Sequence, residues 1–191
     1  GTPGFDQSIK LEKLGWRPSD TAQLFFSECR VPAKNRLGEE GAAFPMIMAN
    51  FQWERLSMAL GAVTGAEETL RLATMYASAR VAFNRQIVRF QAIKHKLVEM
   101  ATQIELARHL TYHALWLLSQ GRDAVKEVSM AKIAATECHT HVADEALQIH
   151  GGYGYMMEFP VQRAWRDARL GPIGGGTTQI MREIIARAMD L

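Results

Sequence analysis

Cysteine is nearly absent from this chain. Cys29 and Cys138 are the two thiols among 191 residues, far apart and without partners at metal-ligand spacing. That pattern argues against a disulfide framework and fits a reducing compartment. No run of about 18 consecutive apolar residues occurs, so no membrane-spanning helix is expected. Neither sign of charge dominates: 22 Lys and Arg against 20 Asp and Glu leave a net +2. So small an excess gives no reason to expect nucleic acid or a membrane surface as a main partner. No Glu–His pattern of a zinc protease accompanies His109 and His113, which share one helical face, and no metal site is expected. No signal-peptide pattern is visible, and the first residue is Gly rather than Met.

What is present is apolar surface, mostly in helical register. The chain is 48% hydrophobic and 22% charged, ordinary for a globular protein of one or two domains. Residues 5–32 differ from the rest. Ile9, Leu11 and Leu14, then Ala22, Leu24 and Phe26, recur as in strands, with a turn at Pro18 and Asp20 between them. Two or three strands cannot form a stable sheet alone, so these read as the end of a β domain that draws on further strands. A Gly- and charge-rich linker follows over 33–44. Helices are then expected over about 45–79, 89–119, 123–149, 160–170 and 177–189, joined by short connections. Gly121 ends the second, Asp123 caps the third, and the many alanines of the third imply close helix packing. The fold class is mainly α, an up-down helix bundle over residues 41–191 preceded by a few β-strands in residues 1–40. The ten methionines read as core filler.

Four stretches carry candidate chemistry. In NFQWERLSMALGAVTG, Glu54 shares a helical stripe with Ile47, Asn50, Phe51, Met58, Gly61, Ala62 and Gly65, and the two glycines would leave room for something flat or thin beside the helix. A carboxylate buried on such a face is costly unless it is paired or its protonation is shifted. A shifted carboxylate suits general-base work near neutral pH. The alternative is a surface ion pair with Arg55. In ARVAFNRQI, Arg80 and Arg85 bracket Phe83; arginine suits phosphate, although a solvated turn with Phe83 as its one buried anchor has the same composition. QIHGGYGY (148–155) is either a helix C-cap and turn or a patch of exposed N–H groups and flat rings. IGGGTTQ (173–179) combines glycines with a helix N-terminus, which favours an anion. It lacks the Walker Lys and the Rossmann spacing, and a tight turn between helices explains it equally well.

In this order, Arg80-x-x-Phe83 with Gln91, then QIHGGYGY, then RDARL-x-x-IGGGTTQI resemble the C-terminal half of the acyl-CoA dehydrogenase family. The resemblance covers essentially the whole chain. It implies a flavoprotein in which residues 1–40 are the tail of an incomplete middle β domain and 41–191 the C-terminal helical bundle. It implies FAD as cofactor, contacted by Arg80, Phe83, Ile87 and Gln91 and by Gln148, Ile149, His150, Gly151 and Gly152 from a neighbouring subunit, and by Thr177 and Gln179 in the glycine loop. It also implies an acyl-CoA substrate, a dimer or tetramer, and electron-transfer flavoprotein as the usual acceptor. The compartment implied is the bacterial cytoplasm, or the mitochondrial matrix in a eukaryote.

The chain departs from the family at one point. Many members carry Glu just before the Gly-Thr of the last loop, where this chain has Gly175. A long-chain and isovaleryl branch places the acid on the first bundle helix before Arg-Leu, which Trp53-Glu54-Arg55-Leu56 matches. By this resemblance Glu54 is the catalytic base, the Gly175 N–H polarises the thioester carbonyl, and Arg55 and Gly176 lie at the substrate. The expected reaction is α,β-dehydrogenation of a long-chain or branched acyl-CoA. The competing expectation is a helical oligomerisation module that does not itself turn over.

Overall fold

The computed structural model describes all residues, 1–191. Five helices dominate: α1 Ala43–Ala79, α2 Gln91–Ser119, α3 Val125–His150, α4 Pro160–Ala168 and α5 Thr178–Ala188. Four short strands accompany them: β1 Phe5–Gln7, β2 Leu24–Phe26, β3 Val81–Ala82 and β4 Arg85–Gln86.

Each boundary has a local cause. Pro45 falls in the first turn of α1, where a missing N–H costs nothing, and no proline follows in its 37 residues. α2 closes at Gly121, whose φ of +66° turns the chain back so that Arg122 N–H reaches Leu117 O. Asp123 Oδ1 then accepts from Val125 N at 3.1 Å, opening α3. α3 stops at Gly151, also left-handed at φ +57°.

α3 is the central rod, packed against α1, α2, α4 and α5. α3 buries Ala131, Ala135 and Ala146, and α1, packed against it, buries Ala59, Ala62, Ala66, Ala73 and Ala77. Methyl-sized contacts let two helices approach closely over many turns. Leu56, Met100, Val128 and Val142 supply larger core volume. Buried hydroxyls turn back onto their own helices: Thr69 to Gly65 O, Thr111 to Ala107 O and Thr136 to Lys132 O, each at 2.7 Å. These three hydroxyls therefore need no partner on a neighbouring helix. Of the methionines, Met100 and Met181 are core residues, whereas Met46, Met75, Met156, Met157 and Met189 lie exposed; core filling accounts for only part of them.

The amino-terminal segment is the main departure from the sequence pattern. β1 and β2 pair antiparallel through three residues each, Phe5 opposite Phe26 and Gln7 opposite Leu24. Residues 8–16 are extended in part but form no strand. The alternation of Ile9, Leu11 and Leu14 marks a face for a partner sheet, and all three side chains lie exposed here. Ser8 N and Leu11 N still donate to Gln23 O and Thr21 O, each at 2.8 Å, and the segment is tied to the bundle through Trp16. Its N–H donates to Asp167 Oδ1 at 2.7 Å and its indole to Asp167 O at 3.1 Å, while Arg166 donates to Leu14 O.

Candidate active site

The triple-glycine loop lies between α4 and α5, against the first third of α1 and the start of α3. Gly175 and Gly176 adopt φ of +63° and +107°, which side-chain-bearing residues rarely do. A Cβ on Gly175 would also lie 2.8 Å from Met58 Sδ. Two cations hold the loop. Arg55 Nε donates to Gly175 O at 2.9 Å, and Lys132 Nζ donates to Gly176 O at 2.7 Å. Lys132 has no exposed surface and Arg55 almost none. Burial, together with the charge of Arg55, pushes the Lys132 ammonium down to about 8, while Glu137 acts in the opposite sense. Burial likewise lowers the Arg55 guanidinium from its ordinary value, with Glu54 opposing. Neither cation has a carboxylate within ion-pair distance. The loop carbonyls are their partners, and charge-assisted bonds of this type are worth about 1.5–3 kcal/mol each.

On the other side of the loop the N–H groups of Gly175, Gly176 and Thr177 donate to nothing within the chain. Thr177 caps α5, accepting from Ile180 N at 3.3 Å. Thr178 Oγ1 next to it is buried without a partner. Gln179 points outward from the first turn, exposed. Free N–H groups at a helix N-terminus favour a negatively charged or polarised oxygen.

Glu54 sits one residue from the loop's α1 anchor, and here the sequence expectation needs correction. The carboxylate is exposed, with Asn50 Nδ2 donating to Oε1 at 2.6 Å. Its stripe neighbour Ile47 is also exposed, so the face is open and the expected burial is not found in this chain. The alternative ion pair with Arg55 does not form either, because Arg55 turns inward to Gly175. Of the two glycines expected to leave room beside α1, Gly61 does so, but the space at Gly65 is filled by the His139 ring, 2.6 Å from a built Cβ. A recess of about 260 Å3 opens beside Met58 and Gly61, reaching Trp16, His139 and Leu170.

The second cluster lies at the far ends of α1 and α3. Arg80, Ile87, Ile149, His150, Gly151 and Gly152 line one open groove of about 580 Å3 with Tyr76 and Tyr153. Two motifs separated by some sixty residues of sequence thus meet in space. The His150 ring stacks on Tyr76 at 4.1 Å, and its Nδ1 is 2.8 Å from Ala146 O. Burial lowers its proton affinity, which the bond to Ala146 partly restores. Arg80 lies over the Tyr153 ring at 5.6 Å. Nothing stands within 4 Å of a Cβ built on Gly151 or Gly152. Phe83 and Gln91 are nearby in sequence but outside the groove lining. Phe83 projects, 88% exposed, from the β3–β4 hairpin at φ +51°, a backbone conformation costly for an aromatic residue. Gln91 opens α2, exposed, 3.3 Å from the His95 ring, and Gln148 is exposed on the last turn of α3.

Both clusters suit a dinucleotide's chemistry. The groove offers a cation, flat rings and unobstructed glycines, and the loop offers free N–H groups at a helix start. Sequence reasoning missed Lys132, Tyr76 and Asp167, and named Met58 only as a stripe neighbour of Glu54. The available signal for Lys132 was a lone cation in an alanine-rich stretch, SMAKIAATEC, one position from the packing stripe.

Residues 41–190 match the family model described as acyl-CoA dehydrogenase, C-terminal domain. The chain is 45% identical over 186 residues to an acyl-CoA dehydrogenase of Bacillus subtilis (strain 168), covering 97% of this chain and 49% of that protein. Mitochondrial enzymes match at comparable levels: short-chain specific acyl-CoA dehydrogenase of Rattus norvegicus at 42% identity, covering 97% of this chain and 45% of that protein, and long-chain specific acyl-CoA dehydrogenase of Sus scrofa at 41%, covering 98% and 44%. Among solved structures, the acyl-CoA dehydrogenase from Geobacillus kaustophilus superposes with a TM-score of 0.97 at 45% identity, covering 100% of this chain and 50% of that one. The chain therefore spans about half the length of the curated relatives it matches.

Proposed function

This chain belongs to the acyl-CoA dehydrogenase family, and we propose that it forms the helical half of an FAD-dependent enzyme that oxidises an acyl-CoA thioester to the trans-2-enoyl-CoA. Residues 41–191 would be the helical domain and 1–40 the end of the strand-built one. One observation carries the assignment of the base: Arg55, adjacent to Glu54, donates to Gly175 O at 2.9 Å. The turn of α1 bearing the acid is therefore tethered to the loop whose N–H groups are free.

In this mechanism Glu54 takes the proton from the carbon next to the thioester carbonyl. That proton is weakly acidic, so negative charge growing on the carbonyl oxygen must be met by a donor. The unpartnered Gly175 N–H is in the right loop for this, and such a donor is worth about 3 kcal/mol in the transition state. The bound flavin supplies the acceptor for the hydride leaving the next carbon. Asn50 holds the Glu54 carboxylate in one orientation. Glu54, exposed in this chain, must be shielded from water in the whole protein for its basicity to be useful. The recess beside Met58 and Gly61 offers room for part of an acyl chain. We assign a long or branched substrate on the position of Glu54, and electron-transfer flavoprotein as the acceptor on family resemblance.

The two FAD-binding clusters cannot serve one cofactor in the same copy. Arg55 lies in α1 and Arg80 caps its C-terminus, 25 residues (80 − 55) further along an unbroken helix, a separation of about 37 Å at 1.5 Å per residue. That exceeds an extended dinucleotide. The proposed enzyme is therefore at least a dimer, with the Arg80 groove of one copy completing the site at the glycine loop of another.

The test is Glu54→Gln in the whole protein, mixed anaerobically with acyl-CoA thioesters of several lengths while flavin absorbance is followed. Loss of a general base predicts bleaching slower by about 10²–10⁴-fold with FAD content unchanged. Bleaching at the wild-type rate would remove Glu54 from the mechanism. A wild-type protein that purifies colourless would favour the oligomerisation module.

A further inference from the structure

Lys132 is an unusual core residue. It is a fully buried ammonium on a helix whose other buried residues are mostly apolar, and no carboxylate pairs with it. The charged groups that act on it are Arg55 from α1 and Glu137, five residues further along α3. One of these repels it, so its place is not set by ion pairing. Its bond is to Gly176 O at 2.7 Å, one peptide beyond the bond from Arg55 to Gly175 O.

The consequence follows from peptide geometry. A trans peptide is planar, and its C=O and N–H point in opposite directions. With Gly175 O and Gly176 O both drawn into the bundle, the N–H groups of Gly176 and Thr177 turn away from it. The adjoining Gly175 N–H is likewise without a partner. Glycines at φ +63° and +107° impose little conformational preference of their own, so an external restraint has to select the loop's orientation. A neutral donor could satisfy each carbonyl. A cation also polarises the peptide it binds and strengthens the N–H at its other end.

We propose that Lys132 and Arg55 are positioning residues that together orient and polarise the Gly175–Gly176 and Gly176–Thr177 peptides, so that the N–H groups of Gly176 and Thr177, with the Gly175 N–H held in place beside them, form a preset site for the thioester carbonyl oxygen. This rests on the dehydrogenation function above. It assigns to Lys132 a role transmitted through the loop, and it withdraws Arg55 from direct contact with substrate.

The experiment uses the whole FAD-loaded protein and a trans-2-enoyl-CoA isotopically labelled at the thioester carbonyl. The carbonyl stretch is read by infrared difference spectroscopy, with kcat and KM measured in parallel. In the wild type the bound stretch moves to lower frequency. Lys132→Met keeps the stem and removes the charge. It is expected to lose at least half of that displacement and, as for a misplacement of about 1 Å, roughly 100-fold in kcat. KM and FAD content are expected to change little, because the interaction lost belongs to the transition state. Should Lys132→Met fail to fold, Arg55→Lys is read in the same way; it retains a cation while releasing the fixed Nε direction, and a reduced displacement is expected. An unshifted carbonyl in the wild type, or an equal displacement in the wild type and the folded variant, overturns the proposal. Glu54→Gln separates the two assignments: its carbonyl displacement stays at the wild-type size whether or not its chemistry is lost.

Discussion

Replacing Lys132 by Met tests the electrostatics of the bundle directly. The side chain is wholly buried, and its ammonium is pushed from an ordinary 10.5 down to about 8, chiefly by burial and then by Arg55. Below pH 8 the folded protein carries a charge that the unfolded chain solvates better. Between about 8 and 10.5 the unfolded chain holds a proton that the folded protein has released, so stability rises with pH across that window. At 1.36 kcal/mol per pKa unit, the full difference is about 3 kcal/mol. At pH 7 this cost is opposed by the charge-assisted bond to Gly176 O, worth about 1.5–3 kcal/mol. The variant should accordingly unfold within about 1 kcal/mol of the wild type at neutral pH. By pH 10.5 the wild type should have gained about 3 kcal/mol over it. Urea unfolding of both proteins at pH 7, 8, 9, 10 and 10.5 measures the difference, which removes every other titrating group common to the two. Parallel pH profiles would refute the placement of a charged Lys132 in the core.

Leu56→Ala should destabilise the bundle by about 2–5 kcal/mol in urea unfolding, because the side chain is 1% exposed at the α1–α3 seam; a change below about 1 kcal/mol would mean that the seam collapses around the gap. Arg80→Ala in the whole protein should weaken FAD binding by roughly 10–100-fold in a fluorescence titration, the loss of one charge-assisted phosphate contact. An unchanged affinity would place the groove of Arg80 and Gly151 outside the cofactor site.

The helices were legible because each is an uninterrupted apolar stripe closed by a recognisable terminus: Gly121 and Asp123 between α2 and α3, Gly151 after α3, Thr177 before α5. The stretch Ser8–Trp16 was misread because alternation reports a face prepared for a sheet, whereas strand formation also needs the neighbouring backbone. Glu54 shows the same limit for a helix. Spacing puts it on the stripe of Met58 and Ala62, but whether that part of the stripe is covered depends on what packs there. The motifs at Arg80 and Gly151 were legible singly, and their meeting in one groove required the path of α1 and α3. Lys132 gave almost no signal, since one Lys in a helix is ordinarily a solvated residue. Its partner is a backbone carbonyl, which leaves no complementary residue type in the sequence.

The alanine seam between α1 and α3 has a consequence for which substitutions the fold tolerates. An interior lined largely with methyl groups has little volume to lose, so truncation, the usual hazard of a protein interior, has few targets there. The danger runs the other way. Adding two methyl groups at Ala66 or Ala135, both with no exposed surface, would wedge the rods apart at a cost of about 1–3 kcal/mol. Because one rod carries the glycine-loop anchor near one end and the arginine groove at the other, a wedge anywhere along the join would disturb the alignment of two half-sites that never touch.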